Sequence, residues 1–427
     1  MNQATLSFPA SDVAFAGPAD RIGFDIGWDH AHHGLVPPAE LLHQGTPVMQ
    51  GWLAGKAVFG RRTLSTSRAT RQWLATRLLA WRRGIHFETQ QLNAHHFAQI
   101  HTERCPVQRS LLGGAPGQDD AAVVLRLNDR AGYAAGNLAV TSQIAARAGQ
   151  DLDVMAAVRQ ARAQEAGAPA AAGLDTGAWW RLAVLRSFAT PLPFHEAARL
   201  PLAVLPPNRV RLLNAVQGLQ TLVTRLFLAP GWAARCRQLA AMLPAHTLRH
   251  DFNLFVGAMA PRVLEAGSEP RTLRLALEDA WLHDRVQRRW QHLVLSLGES
   301  ATERLLDQAV AAGLGGQHVL QHAPQQAVEG WALERQGRAE PLDAAAAALQ
   351  PGHKHATGPS AGTHGHAGGR SVQPQPSATG SQGDGRFAHR QAFDDGLALH
   401  GVGPAPKSRH RFAMLVDQRD VVNPGAA

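Results

Sequence analysis

Three histidines and one asparagine are the residues in the first third of this sequence that are best suited to acid–base or metal chemistry. An imidazole takes up a proton near neutral pH and ligates divalent metals, so His95, His96 and His101 are each a candidate base or ligand. His95 and His96 are adjacent, so they face different directions. His101 lies four residues before Cys105, and folding can bring its ring to the segment that holds Asn137. We take His101 and Asn137 as the candidate catalytic residues.

The only tyrosine of the chain, Tyr133, lies in the segment with the most informative order of residues. The β-branched run Ala121–Leu127 favours a strand, and a polar turn with the pair Gly132 and Tyr133 follows it. Asn137 then begins an apolar run that predicts a helix. Upstream, Arg104–Gln108 favours another short strand. The predicted unit is a β-hairpin followed by a helix.

Cys105, Gly132, Tyr133 and Asn137 stand at the spacing found in a phage and bacterial variant of the HNH-type (ββα-metal) endonuclease module. Residues 104–148 resemble that module. In the family, a ββα finger holds one divalent metal, a histidine acts as general base on water, and an asparagine orients the histidine or the loop. The resemblance therefore implies metal-dependent cleavage of a phosphodiester, with a base and a metal placed against one phosphate.

The sequence departs from the family at the positions that carry the chemistry. Leu125 and Arg126 stand where the family has an aspartate followed by histidine or arginine, and Ala146 stands where asparagine or histidine is usual. No histidine lies between His101 and His195, so the hairpin cannot supply an imidazole. We read residues 104–148 as an HNH-like scaffold without a working catalytic centre, and we predict no cofactor. A divalent metal is expected only if the protein is an active endonuclease.

Other candidate metal ligands lack a converging set of partners. Asn128 and Asp129 offer oxygen ligands, but adjacent residues of this type usually form a turn. His30, His32 and His33 lie close together in the N-terminal segment, and His353, His355, His364 and His366 lie close together in the C-terminal tail. Imidazoles at these spacings bind zinc or nickel loosely, and a closed site needs further ligands that the sequence does not indicate. We predict no metal site there.

A second candidate site is the stretch 41–87, which has eight basic residues and neither aspartate nor glutamate. Guanidinium groups match phosphate geometry, so this stretch is a candidate phosphate-tracking surface. Trp52, Trp73 and Trp81 either stack on bases or belong to the core, and the apolar stripe they share favours the core. The predicted nucleic-acid-binding residues are Arg61, Arg62, Arg68, Arg71, Arg82, Arg83 and Arg126.

Composition sets broad limits on the partners and the compartment. The net charge of +9 favours anionic partners such as DNA or RNA, although an arginine-rich composition also reflects genome base content. The two cysteines, Cys105 and Cys236, are too few for a disulfide framework and fit a reducing compartment. We find no signal peptide and no apolar run of about 20 residues. A cytoplasmic protein without a membrane partner is expected.

Helical periodicity dominates the rest of the chain, and we predict a mainly α protein with a small ββα insert and a disordered C-terminal tail. Helices are predicted over Pro47–Phe59, Ser67–Arg83, Gln90–His101 and Asp151–Ala166. The tail is rich in Gly, Pro, Ser, Gln and His, which cannot bury enough apolar surface to fold. The predicted divisions are an irregular arm over 1–46, helices with the HNH-like finger over 47–166, a linker over 167–174, a helical domain over 175–336 and the tail over 337–427.

Three functions remain open from the sequence. The leading hypothesis is a catalytically degenerate HNH-like protein that binds nucleic acid without cleaving it. An alternative is an active metal-dependent endonuclease whose base comes from outside the finger, from His95, His96 or His101. A further alternative is a helical scaffold that binds a protein partner through residues 175–336, with a short segment at Arg411–Val416 as another contact.

Overall fold

The computed structural model describes residues 15, 17–150, 152–314, 319–322, 328–340 and 413–416. This part of the chain is mainly helical, as the sequence predicts. The helices are α1 Pro18–His32, α2 Pro47–Phe59, α3 Arg68–Arg82, α4 Ala94–Gln99, α5 Gln143–Ala148, α6 Val154–Glu165, α7 Thr176–Phe188, α8 Phe194–Ala197, α9 Ala215–Leu228, α10 Trp232–Met242, α11 His246–Ala266, α12 Pro270–Ala280, α13 Asp284–Leu297 and α14 Glu299–Ala311. The strands are β1 Ala122–Arg126, β2 Leu138–Ser142, β3 Arg211–Leu212, β4 Val319–His322 and β5 Ala413–Val416.

Helices α1 and α2 pack so closely that glycine is required where they meet. A Cβ on Gly27 would lie 1.9 Å from the carbonyl oxygen of Val48, and one on Gly51 would lie 1.9 Å from that of Phe24. The prediction of an irregular arm over 1–46 is therefore wrong for α1. Each glycine costs about 1 kcal/mol relative to alanine in a helix, so the sequence of α1 does not favour a helix by itself. The close packing against α2 offsets that cost in the folded protein.

The next helices follow the sequence pattern more closely. Helix α2 has the predicted bounds, and α3 lies one residue inside them at each end. Ser67 caps α3, because its Oγ accepts a hydrogen bond from the Thr70 amide at 3.0 Å. Helix α4 is shorter than the predicted span of 90–101, since the side chain of Asn93 caps it by accepting from the His96 amide at 3.0 Å.

A β-hairpin and a short helix lie within residues 122–148, in the predicted order but with different bounds. Strands β1 and β2 pair antiparallel with Val124 opposite Val140, and α5 contacts both strands. The five residues of β2 are all buried. Ser142 ends β2 and caps α5, with its Oγ accepting from the Ala145 amide at 3.4 Å. We call β1, β2 and α5 with their connections the hairpin–helix unit.

Two element assignments in this unit are wrong. Asn137 does not begin a helix, because the residues that follow it form β2, and the helix starts only at Gln143. The predicted strand Arg104–Gln108 is reduced to one bridge, between Arg104 and Leu111. Local propensity favoured a helix after Asn137, and pairing with β1 overrides it by supplying main-chain partners that only the folded chain provides.

One hydrophobic core extends across the predicted linker 167–174. Helix α6 packs on α7, and Val158 and Leu182 from these two helices belong to the same buried cluster. Further along the chain the cluster includes Trp281 and Trp290, whose ring centroids lie 5.1 Å apart in an edge-to-face arrangement. The linker therefore connects two helices of one core and does not separate two domains.

The C-terminal part contributes two described segments. Residues 328–340, which we call the strap, lie against the loop between β1 and β2. Strand β5, from the predicted disordered tail, lies between β3 and β4 in a three-stranded antiparallel sheet. The remaining tail, 341–412 and 417–427, lies outside the described residues.

Among the described residues, none of the helices combines the length and the hydropathy needed to span a bilayer.

Candidate functional site

Asn137 holds together the loop that joins β1 to β2, residues 127–137, which we call the β1–β2 loop. Its side chain is fully buried. Its Oδ1 accepts a hydrogen bond from the Asn128 amide at 2.8 Å, and its Nδ2 donates to the carbonyl oxygens of Asn128 at 3.1 Å and Gly132 at 2.9 Å. The carboxamide is thus bound to the main chain of its own loop, which makes Asn137 a residue that fixes the loop.

The neighbouring turn residues are also engaged internally. Asn128 Nδ2 donates to the carbonyl oxygen of Ala189 at 3.0 Å, and Asn128 Oδ1 accepts from the Arg130 amide at 3.0 Å. Asp129 forms an ion pair with Arg186, whose side chain is only 4% exposed. The two side chains considered as oxygen ligands for a metal therefore connect the β1–β2 loop to helix α7 and the residue after it.

Arg126 is committed to the same loop. Its Nη1 donates to the carbonyl oxygens of Asp129 at 3.1 Å and Ala131 at 2.7 Å. Its guanidinium lies 5.4 Å from the centroid of the Tyr133 ring, a cation–π contact. Burial raises the pKa of the Tyr133 phenol, and the charge of Arg126 opposes that rise. Both side chains thus help to hold the loop, and Arg126 is poorly placed to contact a nucleic acid.

The strap closes the β1–β2 loop from outside. Trp331 is fully buried, its indole N–H donates to the Ala135 carbonyl at 3.0 Å, and its own carbonyl accepts from the Gly132 amide at 2.7 Å. At Gly337, where φ is +71°, a Cβ would lie 2.5 Å from the carbonyl carbon of Ala131. Sequence reasoning missed this contact, because it ended the helical domain at residue 336 and assigned no partner to that tryptophan.

Cys105 and Gly132 also have packing roles. Cys105 is 1% exposed, and its Sγ lies 3.2 Å from Ser142 Oγ and accepts from the Ser142 amide at 3.3 Å. It therefore attaches its segment to the junction of β2 and α5. Gly132 allows close approach of the preceding chain, since a Cβ there would lie 2.6 Å from the carbonyl oxygen of His86.

The three candidate histidines lie in different environments. His95 is exposed, with its Nε2 2.8 Å from the side-chain nitrogen of Gln99. His96 is 7% exposed, and burial, with Arg209 and Arg211 nearby, lowers its pKa from 6.5 to about 4. His101 is exposed at the edge of a cavity. Among the described residues, none of these rings hydrogen bonds to Asn137, so the structure does not bring the candidate base and the asparagine together.

No group of three or more His, Cys, Asp or Glu side chains that is arranged to hold a metal ion occurs in the described part of the chain. In the N-terminal histidine group, His30 Nδ1 lies 2.8 Å from the Ile26 carbonyl oxygen within α1, and His32 stacks on Phe59 with ring centroids 4.2 Å apart. These contacts place His30 and His32 in the packing of α1 against its neighbours.

The predicted basic surface is partly present. Arg77 is buried and pairs with Asp29, and Arg82 is exposed and pairs with Glu40 at 3.2 Å. The remaining arginines of this set are exposed, and the structure contains no ion pair for them within the residues it describes. They are Arg61, Arg62, Arg68, Arg71 and Arg83.

The three tryptophans of this region point into the protein. Each indole N–H donates to a main-chain carbonyl, at 3.0 Å for Trp52, 3.1 Å for Trp73 and 2.8 Å for Trp81. All three rings are half-buried. These contacts favour the packing interpretation over base stacking.

Sequence reasoning missed a group of arginines that meet in a cavity of about 350 Å³. The segment 100–109 and helix α12 form two of its walls. Arg104, Arg271 and Arg274 line it together with His101. The sequence carried no signal for this cavity, because its walls are separated by more than 150 residues.

No family model matches the chain, and comparison with curated proteins and with solved structures finds no match either.

Proposed function

We propose that this protein binds DNA or RNA without cleaving it, and that the hairpin–helix unit is an HNH-like scaffold that supports the binding surface. The proposed surface is the arginine face of α3, formed by Arg68, Arg71, Arg82 and Arg83 at helical spacing. These residues span the whole helix, which is about 22 Å long at 1.5 Å per residue. That length covers several consecutive phosphates of a nucleic acid.

The observation that carries this proposal is the position of Arg68 and Arg71 at the N-terminal end of α3. The N-terminus of a helix is the positive end of its dipole, where cations are unfavourable by about 0.3–1 kcal/mol. The first turn of α3 has no acidic residue, and both arginines are exposed. Charges that disfavour their own helix and lack an acidic partner are readily explained by an anionic partner from outside, since phosphate binds well at a helix N-terminus lined by guanidinium groups.

The hydrogen bonds of the β1–β2 loop support binding without cleavage. Catalysis needs groups that are free to contact a phosphate or a metal, whereas Asn137 is buried and bound to its own loop. His101, the candidate base, lies at a different place, beside the arginine-lined cavity. These contacts favour a structural role for the HNH-like unit over the endonuclease alternative.

The first experiment measures affinity for a labelled oligonucleotide by fluorescence anisotropy across a range of salt concentrations. In the full chain, Arg68→Ala with Arg71→Ala is expected to weaken binding by about tenfold or more and to reduce the salt slope by about 2, because two phosphate contacts are lost. The matched control is Arg235→Ala with Arg237→Ala, which removes the same charge from two exposed positions on α10. Salt-independent binding, or an equal loss in both variants, would overturn the role assigned to α3.

A plasmid-nicking assay with magnesium, manganese or nickel tests the absence of cleavage. We expect intact supercoiled plasmid with each metal. Nicking by the wild type that disappears in folded His101→Ala or Asn137→Ala protein would support the endonuclease alternative instead. Absence of any nucleic-acid binding at low ionic strength would leave the protein-scaffold alternative.

A further inference from the structure

The cavity of about 350 Å³ beside the hairpin–helix unit has the size of a small-ligand site. Apolar side chains such as Ile100, Val204 and Leu275 form part of its lining. Ile100 and Val204 are 3% and 1% exposed. The charged part of the lining consists mainly of arginines. A ligand that fits must therefore carry both an apolar body and a negative charge.

The positive charge of the cavity exceeds its negative charge. Four arginines line it, against two glutamates, Glu103 and Glu278. Glu278 is 2% exposed and is already engaged, because it accepts hydrogen bonds from Arg109 at 3.2 Å, from Arg274 Nε at 3.0 Å and from the Leu205 amide at 2.9 Å. This buried carboxylate therefore holds two of the arginines in place, and preorganised guanidinium groups bind an anion with less loss of side-chain entropy.

The other two arginines, Arg104 and Arg271, are not neutralised by an ion pair within the described part of the chain. Arg104 donates to the Arg109 carbonyl at 3.2 Å through Nη1, and its guanidinium has no ion pair among the described residues. Arg271 is exposed in the first turn of α12 and likewise has no ion pair within the described part of the chain. Both guanidinium groups remain available to a ligand in the cavity.

The cavity is connected electrostatically to the arginine face of α3. His101 lines the cavity, and its pKa is lowered first by burial and then by the positive charge of Arg68. Helix α3 also packs against α4, and the cavity-lining segment 100–109 follows α4 directly. We therefore expect a strand whose phosphates follow α3 to reach the cavity at the end of α3 that begins with Arg68.

We propose that the cavity binds the terminal nucleotide of a nucleic-acid strand, with its terminal phosphate on Arg104, Arg271 and Arg274. This inference rests on the proposed function. A terminal phosphate monoester carries a charge of about −1.5 to −2 at neutral pH, more than a bridging diester, and suits a site with excess guanidinium charge. The flat face of the base supplies the apolar body, whereas a cavity of this size excludes a continuous duplex.

The test compares three single-stranded oligonucleotides of one sequence, with a 5′-phosphate, a 3′-phosphate or no terminal phosphate, by fluorescence anisotropy on the full chain. The wild type is expected to bind one phosphorylated form about tenfold or more tightly than the unphosphorylated form. Arg271→Ala should abolish that preference and weaken binding of the unphosphorylated form no more than the control substitution Arg285→Ala does. Arg285→Ala, an exposed arginine on α13, is the matched control and should retain the preference.

The outcomes separate the inference from the proposed function. Equal affinity of the wild type for all three oligonucleotides would overturn the terminal-nucleotide site and leave the α3 surface intact. A preference that persists in Arg271→Ala would also overturn it, because the phosphate would then be read elsewhere. Absence of binding to any of the three would overturn both proposals.

Discussion

The β1–β2 loop and the arginine face of α3 both concentrate polar side chains, and they use them in opposite ways. In the loop, Asn137 is fully buried and bound through its carboxamide to main-chain atoms. On α3, Arg68 and Arg71 are exposed and lack an ion pair in the described part of the chain. The loop resembles a catalytic motif in sequence, yet its polar groups are saturated by the protein. The arginine face belongs to no motif, yet Arg68, Arg71 and Arg83 have no ion pair among the described residues.

This contrast shows that residue type and spacing do not distinguish a functional polar group from a structural one. A buried amide with satisfied hydrogen bonds stabilises the fold, and losing it leaves its partners unsatisfied. An exposed charge contributes little to the free energy of unfolding and can be kept for a partner. Substitutions in the β1–β2 loop should therefore change the free energy of unfolding. Substitutions on the arginine face of α3 should instead change the affinity for nucleic acid.

The largest expected effect comes from Trp331, which connects the strap to the β1–β2 loop. Trp331→Ala should reduce the free energy of unfolding by about 4 kcal/mol, because a fully buried ring leaves a cavity. Trp331→Phe should lose only about 1–2 kcal/mol, since it keeps most of the ring and gives up the hydrogen bond to Ala135. Urea unfolding measures both. If both variants lost only a small and equal amount of free energy of unfolding, the strap would not stabilise the β1–β2 loop.

Asn137→Ala should lower the free energy of unfolding by about 3 kcal/mol, because the Asn128 amide and two carbonyl oxygens become buried without partners. Asn137→Asp keeps the oxygen acceptor but places a second carboxylate oxygen against the carbonyl oxygens of Asn128 and Gly132 in a buried site, so it should lose at least as much. Chemical denaturation gives the free energies, and anisotropy on the folded protein should give unchanged nucleic-acid affinity. If the variant kept wild-type stability and lost its affinity for nucleic acid, Asn137 would be a binding residue. The distinction between a structural loop and a binding surface on α3 would then be wrong.

His96 should make the free energy of unfolding depend on pH. Its pKa is about 4 when folded, against 6.5 ordinarily, so the unfolded chain takes up a proton first as the pH falls. The stabilisation is complete above pH 6.5 and is lost towards pH 4, with a loss of about 2 kcal/mol at pH 5. His96→Leu should remove this contribution, as seen in unfolding curves at pH 7.5 and 5. His95→Gln, at the exposed neighbouring position, is the control and should retain the wild-type pH dependence.

The smallest expected change is in the stability of Arg68→Ala with Arg71→Ala. Removing two cations from the N-terminal end of α3 should raise the free energy of unfolding by about 1 kcal/mol or less. Thermal or urea unfolding of the same variant used for binding provides the measurement. A loss of several kcal/mol would mean that these arginines hold the fold, and weakened binding would then have a trivial cause.

Local signals predicted the helices whose patterns are self-contained. The apolar stripe and Ser67 cap of α3 lie within one short segment, so its bounds follow from the sequence almost to the residue. Helix α1 escaped prediction because its glycines are explained only by the backbone of α2. A hairpin followed by a helix was predicted correctly, but with the wrong pair of strands: β1 lies at a predicted strand, whereas β2 lies where the helix after Asn137 was predicted, since β2 depends on pairing with β1.

The sequence by itself determined the mainly helical character, the bounds of α3 almost to the residue and the arginine-rich stretch around α3, because each follows from residues close together in the chain. Tertiary structure decided which polar groups remain available. Burial and main-chain partners engage Asn137 and Arg126, and contacts between distant segments place Arg104 and Arg271 around one cavity. The physical reason is that the availability of a polar group depends on its partners and its desolvation, and both are set by residues far away in the sequence.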